Sequence, residues 1–92
     1  MSIKIDLAGK NILITGANGG IGCAIVLKFL EAGANCYCLD KNLGNVKKIK
    51  IKKNFFSKIN LLKVDLEKKI FRSKILKEIK KNVKIHVLIN NA

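Results

Sequence analysis

A chain of 92 residues that is 49% hydrophobic and 27% charged carries enough Ile, Leu and Val for a core, which excludes a disordered basic tail. Its formal charge is +13, yet all but one of its 19 basic residues are Lys, the exception being Arg72. Bidentate recognition of phosphates and bases favours Arg, so the lysines read as a solvated surface and neither nucleic acid nor a membrane is expected as a partner.

The N-terminal residues mix Lys4, Asp6 and Lys10 with single apolar side chains. They hold no apolar signal-peptide region, so a cytoplasmic location is expected. Lys10–Thr15 reads as a short, buried, β-branched strand. Gly16-Ala-Asn-Gly-Gly-Ile-Gly22 follows at once, then an apolar segment to Ala32 with Ile21, Ala24, Ile25 and Phe29 at helical spacing. The uncharged run Asn11–Leu27 contains Gly16, Gly19, Gly20 and Gly22, which is turn chemistry rather than a membrane span. Gly33 stands where a helix ends in a left-handed residue, and Ala34–Leu39 is a second apolar strand ending at Asp40. A strand, a helix and a second strand in so few residues make a βαβ unit.

Asn42–Asn60 carries Val46 and Ile49 at helical spacing and is expected to hold a short basic helix, although Lys48–Lys52 alternates like a strand. Leu61–Val64 reads as a third strand, ending at Asp65. From Glu67 to Val83 an apolar stripe including Ile75, Leu76, Ile79 and Val83 faces a lysine-rich side, the signature of an amphipathic helix. Lys84–Ile89 is a fourth strand, running into Asn90-Asn91-Ala92. Near-continuous apolar strands alternating with helices predict an α/β fold. The expected form is a Rossmann-like doubly wound parallel sheet in the order 3-2-1-4, truncated after its fourth strand, with residues 1–92 as one domain.

Cys23, Cys36 and Cys38 are an odd set without a secretory signal, so no disulfide framework is expected. Cys36 and Cys38 share one face of their strand, and only His86 stands elsewhere, which is no metal-ligand spacing. All three read as small buried hydrophobes, and no metal site is expected. His86 lies within the fourth strand, away from the C-terminal end where open α/β sheets bind ligands, and reads as structural.

A glycine-rich turn between a strand and a helix is a phosphate-binding device. Gly16 permits the tight turn, Gly19 and Gly20 let an anion approach the backbone, and Gly22 lets helix and strand pack closely. Unpaired N–H groups at the helix N-terminus face the anion. An acidic residue after the second strand, here Asp40, completes the pattern for a dinucleotide. Second roles stay open: Asp40 and Asp65 are good helix caps, and Asn90 and Asn91 can satisfy backbone groups at a strand end.

Thr15-Gly-Ala-Asn-Gly-Gly-Ile-Gly22 resembles the Thr-Gly-x-x-x-Gly-Ile-Gly signature of the classical short-chain dehydrogenases/reductases. Val64-Asp65-Leu66 is similar to that family's adenine-contacting step, and Asn90-Asn91-Ala92 to its Asn-Asn-Ala-Gly motif. The resemblance implies that Asn18, Ile21 and their neighbouring backbone hold the pyrophosphate and that Asp40 takes the adenosine ribose hydroxyls. It further implies that Asp65 and Leu66 meet the adenine, and that Asn90 and Ala92 flank the ribose side. Asp40, with Gly19 where NADP-preferring relatives often carry a basic residue, points to NAD over NADP. The implied reaction is hydride transfer between nicotinamide and a small alcohol or carbonyl substrate, in a homo-oligomeric parent. The family's catalytic Ser and Tyr-x-x-x-Lys helix are expected beyond Ala92. Tyr37 and Lys41 match that spacing by letter only, because they straddle the end of a strand, so no catalytic residue is assigned within this chain. Two further readings remain: an extended-type sugar-nucleotide epimerase or dehydratase, and a non-catalytic nucleotide-binding module.

Overall fold

The computed structural model describes residues 5–52, 57–65 and 67–91; Leu66 and Ala92, two expected cofactor contacts, lie outside them. The chain runs β1 (Asn11–Thr15), α1 (Gly20–Glu31), β2 (Asn35–Asp40), α2 (Gly44–Lys52), β3 (Ile59–Lys63), α3 (Lys69–Asn82) and β4 (Val87–Asn90). The four strands form one sheet in the order β3-β2-β1-β4, every pair parallel. That is the order expected for one half of a doubly wound fold.

The central strands explain the order. Ile12, Leu13 and Ile14 of β1 are all fully buried, which requires cover on both faces of the sheet. On one face Ile12, Ile14, Cys36, Cys38 and Ile59 pack against Val26 and Leu30 of α1 and Val46 of α2. On the other, Leu13 and Leu39 pack against Val64 and Ile79, with Tyr37, Leu62, Ile75 and Leu76 beside them. The cysteines Cys36 and Cys38 are therefore core residues, and all three cysteines are free thiols.

The buried stripe of α1 is Gly22, Val26 and Leu30, not one that starts at Ile21, which is 71% exposed. Helix α1 ends as its glycine predicts. Gly33 adopts φ 93°, its N–H donates to Leu30 O and the Ala34 N–H donates to Phe29 O, the two bonds of a Schellman motif.

Three elements start two or three residues away from the sequence reading, each for a local reason. Strand β3 starts at Ile59 rather than Leu61, because Ile59 pairs with Cys36 and the Cys36 N–H donates to Lys58 O. Helix α3 starts at Lys69 rather than Glu67, because the Glu67 N–H is taken by Asp65 Oδ1 and Lys68 is the N-cap. Strand β4 starts at Val87 rather than Lys84. The segment before it is held by Asn11, whose Nδ2 donates to Lys84 O and whose N–H donates to His86 Nδ1. His86 thus precedes β4 at the N-terminal end of the sheet. At the sheet edge Val87 and Leu88 stay exposed, so the covered-face pattern holds for β1 and β2 and not for β4.

Candidate dinucleotide-binding site

The site begins where β1 turns into α1. Gly16 has φ 63°, a left-handed conformation that lets the chain reverse directly after Thr15. A Cβ on Gly22 would collide with Gly16 O and stand 2.9 Å from the Ala17 backbone, so α1 starts hard against the turn only because residue 22 has no side chain. The other two glycines differ. A Cβ on Gly19 would meet only Gly16 O at 3.8 Å, and one on Gly20 would meet nothing within 4 Å. Packing within the fold does not demand glycine at either position. What their lack of side chains provides is open access to the backbone.

That backbone is donor-rich. Gly19 is the N-cap of α1 and supplies no side-chain cap, and no acidic residue lies in the first turn. The first intrahelical bond runs from the Cys23 N–H to Gly19 O at 2.8 Å. Gly20, Ile21 and Gly22 therefore present the N–H groups that a helix leaves unpaired at its start, together with the positive end of its dipole. Unpaired N–H groups and a positive dipole end favour an anionic group here.

Asn18 joins the turn to the rest of the site. Its N–H donates to Asp40 Oδ2 at 3.0 Å, and the other carboxylate oxygen, Oδ1, accepts from the Lys41 N–H at 2.7 Å. Asp40 is consequently no helix cap. Its carboxylate is fixed at the C-terminal end of β2, and each oxygen retains a further lone pair for another donor. The Asn18 side chain turns away from the cradle: Oδ1 accepts from the Asn45 and Val46 N–H groups at 2.7 and 3.2 Å.

On the other side, Thr15 Oγ1 donates to Asn90 Oδ1 at 3.0 Å, and the Asn91 N–H donates to Thr15 Oγ1 at 3.2 Å. Asn91 Nδ2 donates to Gly16 O at 3.1 Å, fastening the end of β4 to the turn. The backbone-satisfying role expected of these asparagines is present in Asn91, whereas the Asn90 side chain bonds the hydroxyl of Thr15. Asp65 follows β3 at the same end of the sheet. Its Oδ1 is bound to the Glu67 N–H, and the Val64 N–H links its strand to Asp40 O at 2.9 Å.

The structure thus brings Gly16, Asn18, Gly19, Gly20, Ile21, Gly22, Asp40 and Asn90 to one end of the sheet by direct bonds or chain continuity. Asp65 shares that end without bonding to the turn. Sequence reasoning assigned no role to Asn45 or to the hydroxyl of Thr15. Thr15 at least ends a strand before a glycine turn, whereas nothing in the sequence links Asn45 to a residue 27 positions earlier.

Burial pushes the Cys36 and Cys38 thiols up to about 12, with neighbouring thiols adding to the effect at Cys38. Cys23, behind the turn, is raised by burial and then by the Asp40 carboxylate. None of the three is a ready nucleophile.

A parallel sheet in this order, with a glycine turn opening its first helix and a carboxylate closing its second strand, is a Rossmann-like domain. The chain belongs to the short chain dehydrogenase family, whose model matches residues 10–92. It is 38% identical over 88 residues to a short chain dehydrogenase/reductase of Gibberella zeae, covering 95% of this chain and 33% of that relative. Among solved structures it resembles 4-hydroxyisoleucine dehydrogenase complexed with NADH, at TM-score 0.75 and 28% identity, over 91% of this chain and 34% of that one. It also resembles ElxO with NADP bound, at TM-score 0.74 and 29% identity, over 90% of this chain and 34% of that one. The chain spans about a third of the length of the relatives it matches. Among the described residues, no helix is long and apolar enough to cross a membrane.

Proposed function

We propose that residues 1–92 form the dinucleotide-binding part of an NAD(P)-dependent oxidoreductase that interconverts small alcohols and carbonyl compounds. The carrying observation is the open glycine cradle, with the unpaired N–H groups of Gly20, Ile21 and Gly22 beside a carboxylate fixed at the end of β2. The donors suit a pyrophosphate, and Asp40 suits vicinal ribose hydroxyls. When bound, the nicotinamide carries the hydride; the protein supplies binding and orientation.

In this reading the turn from Gly16 to Gly22 wraps the pyrophosphate, with the backbone at Asn18 and Ile21 closest to it. Asp40 accepts from the adenosine ribose, Asp65 and Leu66 border the adenine, and Asn90 and Ala92 flank the ribose side. The Asn18 side chain contributes by shaping the loop, since its oxygen is engaged by α2. The preferred cofactor is NAD, because the Asp40 carboxylate stands where an NADP 2′-phosphate would bring like charge. A homo-oligomeric, cytoplasmic parent without nucleic-acid or membrane partners belongs to the same proposal. Titration of NADH into this chain, followed by nicotinamide fluorescence, tests it. Saturable binding that ADP competes away supports the reading, and no binding overturns it.

A further inference from the structure

We propose that Asn45 of α2 is a positioning residue for the dinucleotide loop, acting through Asn18. The proposal rests on reading the glycine turn as the dinucleotide site. Asn18 and Asn45 exchange hydrogen bonds: the Asn45 N–H donates to Asn18 Oδ1 at 2.7 Å, and Asn45 Nδ2 donates back to Asn18 O at 3.1 Å. The Val46 N–H donates to the same Oδ1 at 3.2 Å. In a helix beginning at Gly44 these are the second and third N–H groups, the pair that an N-cap side chain ordinarily serves. Leu43 precedes the helix and has no side-chain acceptor, so the loop caps α2 from a distance, and α2 answers through Asn45.

The loop needs this support. Gly19 and Gly20 follow Asn18, and neither is pinned by close packing. Glycine loses more conformational freedom on ordering than any other residue, and a loop ordered only by its ligand binds that ligand more weakly. Asn18 is the last residue with a side chain before the pair, and it is held at three points. Its N–H is bound to Asp40, its Oδ1 to α2, and its carbonyl to Asn45 Nδ2, with Cys23 Sγ donating to the same carbonyl at 3.5 Å. The Asn45 side chain, the shorter of the two side-chain holds on that carbonyl, can be removed without altering either the turn or the carboxylate. The same triangle fixes the direction of the Asp40 carboxylate through the Asn18 N–H.

The test compares Asn45→Ala and Asn45→Gln with the unmodified chain, reading NADH affinity, the thermal transition and hydrogen exchange of the Asn18 amide. Loss of one side-chain bond is expected to lower NADH affinity of Asn45→Ala roughly three- to tenfold. The midpoint of thermal unfolding should move by only a few degrees, the Asn18 amide should exchange faster, and Asn45→Gln, which keeps the donor, should recover part of both effects. A purely structural role would lower the thermal midpoint and leave the affinity of folded molecules unchanged, and that result overturns the proposal. If the unmodified chain binds no NADH, the dinucleotide reading fails separately and exchange decides alone. An Asn18 amide exchanging in Asn45→Ala at its original rate then overturns the positioning role.

Discussion

The N–H of Asn18 donates to the carboxylate of Asp40 at 3.0 Å, joining the third residue of the glycine turn to the last residue of β2. Two features that stand 22 residues apart are therefore one unit before any ligand arrives. The carboxylate lies between the turn and the Lys41 N–H, aimed by two backbone donors rather than left to rotate in solvent. A ribose that meets it finds an acceptor already in place, which is the condition for discrimination between cofactors.

That arrangement predicts preference for NAD. A 2′-phosphate near Asp40 places two negative charges a few Å apart, a repulsion of about 4 kcal/mol at an effective dielectric near 20 and 4 Å separation. Half of that, after screening, corresponds to roughly thirtyfold weaker NADP binding. Lys41 adjoins Asp40 and is exposed, so it offsets the repulsion only in part. Parallel titrations of NADH and NADPH measure the ratio. Asp40→Asn, which keeps an acceptor for the Asn18 N–H while removing the charge, should narrow it; equal affinities in the unmodified chain would contradict the argument.

The order of elements and the glycine turn were legible in the sequence because they depend on local pattern. Apolar β-branched runs specify buried strands, Gly33 ends a helix, and lysines every few residues mark the wet side of α3. The boundaries of β3, α3 and β4 were not legible, since each is set by a partner far away or by one side chain: Cys36 for β3, Asp65 for α3, Asn11 for β4. At the site, Asp40 was legible as a carboxylate after a strand, but its bond to Asn18 was not. Nor was the cap that the Asn18 side chain places on α2. A tertiary cap leaves no periodicity to find.

The hydroxyl of Thr15 should matter more than its place inside a strand suggests. It donates to Asn90 and accepts from the Asn91 N–H, in a position that is 6% exposed. Thr15→Val keeps the shape and leaves both asparagine groups without this partner, at a cost of about 1–3 kcal/mol. In a domain of this size each kcal/mol lowers the melting temperature by about 4–8 °C. Thr15→Ser retains the hydroxyl and should lose less. Thermal unfolding followed by circular dichroism separates the two; a larger loss in Thr15→Ser than in Thr15→Val would show that the methyl group, not the hydroxyl, is what counts.

The buried thiols predict alkaline sensitivity. Burial raises Cys36 and Cys38 from 9.0 to about 12 in the folded chain, so folding favours the protonated thiols. Below the unfolded value both states are protonated and this stabilisation is fully present; it is lost as pH rises from about 9 towards 12. Lysines lose charge over the same range, so the informative quantity is a difference in slope. Denaturant midpoints measured between neutral and alkaline pH should fall more steeply for the native sequence than for Cys36→Ala/Cys38→Ala. Parallel curves would remove the thiols from the account.

Gly20 and Gly22 stand two residues apart and should fail in opposite ways when changed to alanine. At Gly22 the new Cβ meets Gly16 O and two Ala17 backbone atoms at 2.9 Å, none of which is the end of a flexible side chain. Either α1 moves off the turn or β1 shifts within a fully buried core, so Gly22→Ala should cost about 1–3 kcal/mol, the range for forcing extra volume into packed structure. At Gly20 the new Cβ meets nothing within 4 Å, and alanine is the better helix former. Gly20→Ala should therefore fold at least as stably as the native chain. Where the pyrophosphate approaches the unpaired N–H groups of α1 from that open side, the added methyl group crowds it, so dinucleotide affinity should fall tenfold or more, on the order of 1.4 kcal/mol. Denaturant unfolding and NADH titration on the same two preparations measure both effects. A Gly20→Ala chain that folds well and binds NADH normally would show that the pyrophosphate does not approach the turn from that side.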